Sequence, residues 1–213
     1  MKKTQSLTAV ISVLLTLLLL LSLLSAIVLA IGLDPHRMAD MFRRHGNAMF
    51  VQTDARRLDI AREVVDYLRF ARDDMPTFQP HEQLHMADVR AIFGLLYVLA
   101  SLGIPAALGL WLMRRRDSMK VCAVTCGGFL AFAAVLGVWG TVDFDSLFVL
   151  FHHIAFTNDL WLLDPRTDLM IQLMPTPFFI EYAAVIAAIF LAAALALLLL
   201  SFFLHRRCIH DLS

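Results

Sequence analysis

Four long apolar stretches constrain the fold of this chain more than any other feature of its sequence. The stretches are residues 7–31, 91–113, 121–140 and 179–204. A helix that crosses a bilayer needs about 20 mostly apolar residues, so each stretch is long enough to span a membrane. Hydrophobic residues make up 60% of the chain, against roughly 45–50% in soluble domains. We therefore predict an all-α membrane protein in which residues 1–213 form a single membrane domain with four transmembrane helices.

The first apolar stretch follows two lysines, Lys2 and Lys3, as it does in a secretory signal peptide. The apolar part of a cleaved signal peptide is only about 7–15 residues long. The run in this chain is much longer, so we interpret it as an uncleaved transmembrane anchor.

Positive charges at the ends of the apolar stretches predict the orientation of the chain in the membrane. The two termini and the short connection between the second and third stretches hold eight cations and two acids. The cations are Lys2, Lys3, Arg114, Arg115, Arg116, Lys120, Arg206 and Arg207. Cations in short flanking segments mark the cytoplasmic side, so we expect both termini inside and residues 32–90 and 141–178 outside. The Arg-rich turn is too short to be a surface that binds nucleic acid.

The first outward segment has the spacing of two short helices. Residues 35–44 and 54–72 repeat apolar side chains at helical intervals, and Asp54 is a suitable N-cap for the second helix. Residues 73–80 contain two prolines and are expected to be irregular. A further helix is expected to begin at His81 and to continue into the second apolar stretch.

The second outward segment opens with an amphipathic helix from Asp143, which turn-forming residues at Asn158 and Asp159 convert into a loop. In the first segment, residues 48–53 allow a short strand. The two segments are too small for an independent soluble domain. We therefore expect them to form a mostly helical cap that packs on the transmembrane bundle.

One five-residue match suggests a specific chemistry. The run His81-Glu82-Gln83-Leu84-His85 fits the pattern H-E-x-x-H, in which two histidines on one helix face bind zinc and the glutamate acts as a base. One candidate function is therefore a membrane zinc metalloprotease. No third ligand lies at a familiar spacing, and without zinc His81 and Glu82 are interpreted as a polar helix start with no further role.

A second group of polar residues occupies the second outward segment. It consists of His152, His153, Asn158, Asp159, Trp161, Asp164 and Asp168. His152 lies among three phenylalanines, and apolar surroundings of this kind shift the pKa of an imidazole and exclude water. A chain this apolar has little reason to gather titratable groups beside a membrane unless they have a function. Together with His85 and Asp88, the group brackets one face of the membrane, which favours a catalytic role over a structural one.

Several windows of the sequence resemble a known family of membrane enzymes. They are LHMADV at residues 84–89, FDSLFVLFH at 144–152, FTNDLWLLDP at 156–165, Asp168, Pro175 and the pair Phe178-Phe179. In these windows and in its four-span plan the chain is similar to the lipoprotein intramolecular transacylases. It departs from the pattern in two places, because Thr176 stands where a glutamate is expected and no glycine follows Arg69.

The resemblance implies an acyl transfer within one substrate molecule. Its substrate is a lipoprotein whose N-terminal cysteine carries a diacylglyceryl group, and the sn-2 acyl chain moves to the α-amine of that cysteine. Two imidazoles, His85 and His152, are suited to the general acid and base roles, which remain unassigned between them. The implied supporting residues, as oxyanion donors or groups that fix a tautomer, are Asp88, Asn158, Asp159, Trp161 and Asp164. The implied pocket-lining residues are Met86, Phe148, Phe151 and Phe156.

The chemistry of this reaction requires no nucleophilic serine or cysteine, no metal and no cofactor. The implied partners are diacylglyceryl-modified lipoprotein N-termini and membrane lipid, without nucleic acid. The implied location is the bacterial cytoplasmic membrane, with the active site at its outer leaflet. A non-enzymatic transporter or sensor subunit is the remaining alternative, and charge inside the spans would favour it, but the apolar stretches contain almost none.

Overall fold

The computed structural model describes residues 2–47, 51, 53–113 and 116–210, and within these residues the chain forms helices and no strand. The helices are α1 (Lys2–Gly32), α2 (Pro35–His45), α3 (Asp54–Leu68), α4 (Pro80–Ser101), α5 (Gly103–Leu112), α6 (Arg116–Val142), α7 (Phe144–Ala155), α8 (Leu169–Leu173) and α9 (Thr176–His210). Most of the short strand suggested at residues 48–53 lies outside the described residues.

Four helical segments of the described chain are long and apolar enough to cross a membrane. They are Ser6–Gly32, Pro80–Leu112, Ser118–Val142 and Thr176–Leu204. The predicted all-α fold class with four membrane-spanning helices is therefore confirmed. The shorter apolar helix α7 lies between the third and fourth of these segments in the sequence.

Side-chain caps fix where the shorter helices begin. Asp34 caps α2 by accepting hydrogen bonds from the backbone N–H groups of His36 and Arg37, at 2.9 and 3.2 Å. Asp143 caps α7 in the same way, with its Oδ1 3.0 Å from the nitrogen of Ser146. The helix predicted to start at Asp143 is therefore confirmed.

Helix α3 differs from its prediction at both ends. Its N-cap is Thr53, whose hydroxyl accepts from the N–H of Arg56 at 3.2 Å, so the assignment of the cap to Asp54 was wrong by one residue. The helix ends at Leu68 instead of continuing to residue 72, because Phe70 adopts φ 61°, a left-handed conformation that favours glycine. Phe70 stands at the position where a glycine was expected, and its ring packs 4.6 Å from the guanidinium of Arg90.

The chain packs as two compact units, and the first comprises the described parts of Met1–Ile27, Leu96–Val138 and Ala187–Ser213. Small polar residues let its helices approach closely, as is usual between membrane helices. Pro105 has no N–H for the helical bond to the preceding turn, and the helix is interrupted at Leu102. Close to this interruption, the hydroxyl of Ser22 donates to the carbonyl of Ala100 at 2.9 Å. A Cβ at Gly103 would collide with that hydroxyl, which explains the glycine.

The second unit comprises Val28–Leu95 and Trp139–Ile186 and has its own hydrophobic core. The largest fully buried core side chains are Met41, Phe42, Ile60, Met75 and Leu173. A buried carboxylate secures the irregular segment before α4, because Glu63 accepts from the backbone and the hydroxyl of Thr77 at 2.9 and 2.6 Å. All residues predicted to form a catalytic site belong to this unit.

Candidate active site

The structure brings His85 of α4 and His152 of α7 together. Both side chains are buried, with 8% and 7% of their surface exposed. Their ring centroids are 6.3 Å apart and their planes differ by 29°. The ring of Phe156 lies 5.2 Å from His85 and 5.5 Å from His152, so the two imidazoles share one aromatic wall.

The orientation of His152 is set by the backbone of its own helix. Its Nδ1 lies 2.7 Å from the carbonyl oxygen of Phe148, one helical turn earlier. A carbonyl oxygen only accepts, so Nδ1 carries the hydrogen and Nε2 of the neutral ring has a free lone pair. The tautomer of His152 is thus set by the Phe148 carbonyl, and neither Asp88 nor Asp159 makes a described hydrogen bond to this ring. The helical spacing of Phe148 and His152 was the available sequence signal for this contact.

Aromatic side chains surround His152 and remove it from water. The ring centroids of Phe148, Trp161 and Phe151 lie 4.1, 4.9 and 5.3 Å from that of the imidazole. This burial lowers the pKa of His152 below its usual value of 6.5, although the bond to the Phe148 carbonyl acts in the opposite direction. The ring is consequently neutral near pH 7 and able to accept a proton.

His85 is held by packing more than by hydrogen bonds. Its Nδ1 is buried and has no hydrogen-bond partner among the described residues. Asp88 follows one turn later on α4, and its Oδ2 accepts a hydrogen bond of 2.9 Å from the side-chain amide of Asn158. The side-chain Oδ1 of Asn158 accepts a hydrogen bond of 3.1 Å from the backbone N–H of Leu160. These bonds tie the loop after α7 to the helix that carries His85, and they leave one Asn158 N–H for a further acceptor.

The remaining predicted site residues lie in different surroundings. Asp159 is exposed. Asp164 pairs with Arg166 at 2.7 Å, and its N–H donates to Asp168, so it shapes the loop and does not meet either imidazole in a described contact. Met86 is part of the buried core of the second unit. His153 is exposed and touches the ring of Trp161 edge-on, with centroids 5.2 Å apart.

The H-E-x-x-H residues have structural partners that the sequence did not reveal. The carboxylate of Glu82 is fully buried and accepts from the N–H groups of Gln79 and Met170 at 2.7 and 2.6 Å. His81 lies 3.0 Å from the carboxylate of Asp168, just before α8. The interpretation that His81 and Glu82 need no further role was therefore wrong, because they join α8 to the start of α4. Since both Glu82 oxygens are engaged, this carboxylate is poorly placed to activate a zinc-bound water.

Comparison with known proteins gives an independent result. A family model described as lipoprotein intramolecular transacylase Lit matches residues 12–179. The solved structure of the membrane integral lipoprotein intramolecular transacylase Lit from Bacillus cereus aligns over 100% of both chains with a TM-score of 0.75 and 18% identity. Two variants of that protein, with one histidine replaced by arginine or alanine, align over 99% of this chain and 96% of theirs. Their TM-scores are 0.62 and 0.60, at 18% and 19% identity. No curated protein matches this chain.

The structural alignments establish the fold, and the family match covers most of the sequence. The four apolar helices and the membrane-integral relative agree that the protein crosses the membrane several times. The chain belongs to the lipoprotein intramolecular transacylase family and is therefore a membrane-integral acyltransferase.

Proposed function

We propose that this enzyme transfers the sn-2 acyl chain of a lipoprotein's diacylglyceryl-cysteine to the α-amine of the same cysteine, with His85 and His152 as general acid and base. The observation that carries the proposal is the pairing of two buried imidazoles, 6.3 Å apart, in one aromatic site. The product is an N-acylated lipoprotein that keeps one acyl chain on glycerol.

We assign the base role to His152 because its Nε2 is free while its Nδ1 is tied to a carbonyl. The attacking α-amine has an ordinary pKa of about 7.7–8.0, so the neutral amine is accessible near neutral pH. The amine nitrogen attacks the ester carbon and forms the new C–N bond, and His152 receives the displaced proton. That proton passes from His152 to His85, and His85 gives it to the departing oxygen as the C–O bond to glycerol breaks. Both imidazoles end neutral, as they began, and the net transfer is of one proton from nitrogen to oxygen.

Two features support the rest of the cycle. The free N–H of Asn158 and the indole N–H of Trp161 are candidate donors to the tetrahedral oxyanion, and one such donor typically contributes about 2.7–4 kcal/mol to catalysis. The amine and the ester belong to one molecule, so confinement between Phe148, Phe151 and Phe156 promotes the reaction by orientation. Asp88 positions Asn158 for this task through their 2.9 Å hydrogen bond.

We propose the bacterial cytoplasmic membrane as the location, with both termini in the cytoplasm and the site at the outer leaflet. The support is the excess of cations in the termini and in the turn before α6. A reporter that is active only outside the cytoplasm should give signal when fused after Ala55 and none when fused after Arg116. The reverse pattern would contradict both the orientation and the outer-leaflet mechanism.

The proposed reaction is tested by the lipid structure at a lipoprotein N-terminus, from cells with and without this protein. Acyl transfer leaves the intact mass unchanged, so fragmentation must show one acyl chain on nitrogen instead of on glycerol. We expect that pattern only when the protein is present. An acyl chain that stays on glycerol in cells containing the protein would overturn the proposal. A proteolytic fragment in its place would restore the zinc protease alternative.

A further inference from the structure

We infer that Glu181 is a positioning residue for the transfer reaction. It anchors the start of α9 to α2 and thereby holds Phe179 against Phe148, the residue whose ring and carbonyl orient His152. The inference rests on the proposed role of His152.

The anchor is a cluster of three side chains, Arg44, His45 and Glu181, from distant parts of the chain. Nη1 of Arg44 lies 2.5 and 2.6 Å from the two carboxylate oxygens of Glu181. Nε2 of His45 lies 2.8 Å from one of the same oxygens. Both basic residues are in the last turn of α2, and Glu181 is the one acid in the apolar stretch at residues 179–204. Two partners therefore fix the position of this carboxylate.

An aromatic series leads from the anchored helix to the imidazole. Phe178 stacks on Phe42 of α2, with centroids 5.9 Å apart. Its neighbour Phe179 contacts the ring of Phe148 at 5.1 Å. Phe148 in turn lies 4.1 Å from the imidazole of His152. The side of His152 that Phe148 covers is therefore packed against α9, the helix that Glu181 anchors.

The exposure of the cluster separates positioning from bulk stability. The side chains of Arg44 and Glu181 are 38% and 28% exposed and are not part of the hydrophobic core of the second unit, so removal of the carboxylate leaves that core intact. A small displacement of a catalytic group nevertheless has a large effect on rate. Loss of the anchor should therefore lower turnover while the protein stays folded.

The test compares purified Glu181→Ala, Glu181→Gln and Phe179→Leu with the wild-type enzyme on a synthetic diacylglyceryl-cysteine lipopeptide in lipid vesicles. We expect Glu181→Ala to lower kcat by about 10–100-fold, with little change in KM or in melting temperature. Glu181→Gln, which retains one carbonyl acceptor, should lose less. Phe179→Leu keeps an apolar side chain but removes the ring contact, so it should share the loss of kcat.

The pH profile gives a readout that a purely structural role would not change. Burial lowers the pKa of His152, so weaker packing on Phe148 should raise it. Protonation of the substrate amine lowers kcat/KM on the acid side in both enzymes. The additional, steeper fall caused by protonation of His152 should begin at a higher pH in Glu181→Ala than in the wild type. The titratable residues near His152, namely His85 and His153, are unchanged in this variant, so the shift reports packing.

Asp40→Asn is the matched control. It removes the other carboxylate that binds Arg44, 3.0 Å from its Nε, and leaves Glu181 in place. Nearly wild-type kcat is expected. The inference is overturned if Asp40→Asn and Glu181→Ala lose activity equally, or if Glu181→Ala has wild-type kcat and pH profile. If the wild-type enzyme forms no N-acyl product, the proposed function itself is contradicted. If His152→Ala is inactive while Glu181→Ala keeps the wild-type kcat and pH profile, only this inference is contradicted.

Discussion

Replacement of His152 or His85 by alanine should abolish the movement of the acyl chain from glycerol to nitrogen. General acid or base catalysis by one group typically contributes about 10²–10⁴-fold. Each single variant should therefore lose nearly all activity, because the proton taken from the amine and the proton given to glycerol pass through different rings. The measurement is fragmentation of the lipopeptide N-terminus by mass spectrometry, together with the amount of protein in the membrane.

His153→Ala is the matched control for the first prediction. It removes an imidazole from the same helix turn, but the side chain is exposed and lies on the edge of Trp161. We expect a mild effect. If His85→Ala and His152→Ala both still place the acyl chain on nitrogen, these histidines are not the acid and base. If His153→Ala is equally inactive, the loss reflects disruption of the helix.

Replacement of Glu82 by alanine should destabilise the enzyme strongly without removing a catalytic group. The change leaves the buried N–H groups of Gln79 and Met170 without their acceptor. An unsatisfied buried polar group costs about 1–3 kcal/mol, so two of them are a large part of the stability of a typical protein. A clear fall in melting temperature is expected. Asp54→Ala, at a carboxylate that is 82% exposed, is the control and should change little.

A second substitution at Glu82 tests whether this residue has a structural role or acts as the base of a zinc protease. Glu82→Gln keeps one carbonyl acceptor, so the folded fraction should retain its rate of acyl transfer, and a chelator should not inhibit it. We expect this because both oxygens of Glu82 already accept backbone hydrogen bonds and are not available to act on a zinc-bound water. Stoichiometric zinc in the purified protein, combined with a folded but inactive Glu82→Gln variant, would instead support the H-E-x-x-H interpretation.

Features that depend on residues close together in the sequence were predictable from the sequence alone. The four spans follow from apolar runs longer than the bilayer requires, and the start of α7 follows from the cap at Asp143. The window around His152 was identified because titratable groups gather there beside a membrane, and the window around His85 because it matches H-E-x-x-H. Errors in these local features were small, such as the cap at Thr53 in place of Asp54.

Contacts between distant residues required the tertiary structure. Asn158 meets Asp88, 70 positions away, and Met170 donates to Glu82, 88 positions away. Phe148 meets Phe179 on another helix. None of these pairs has a periodic signal, because each depends on how separate helices pack. The left-handed Phe70 was also unpredictable, since its conformation is disfavoured for any residue with a side chain.

The sequence by itself therefore determined that the chain crosses the membrane four times and which two windows supply the histidines, because hydrophobic length and helix capping act over a few residues. Only the tertiary structure decided that His85 and His152 share one aromatic wall, and that the Phe148 carbonyl, and not a carboxylate, orients His152. It also decided that the buried carboxylate of Glu82 accepts hydrogen bonds from two backbone N–H groups, those of Gln79 and Met170. The physical reason is that burial, and with it the pKa of His152, arises from side chains of several helices that only the folded chain brings together.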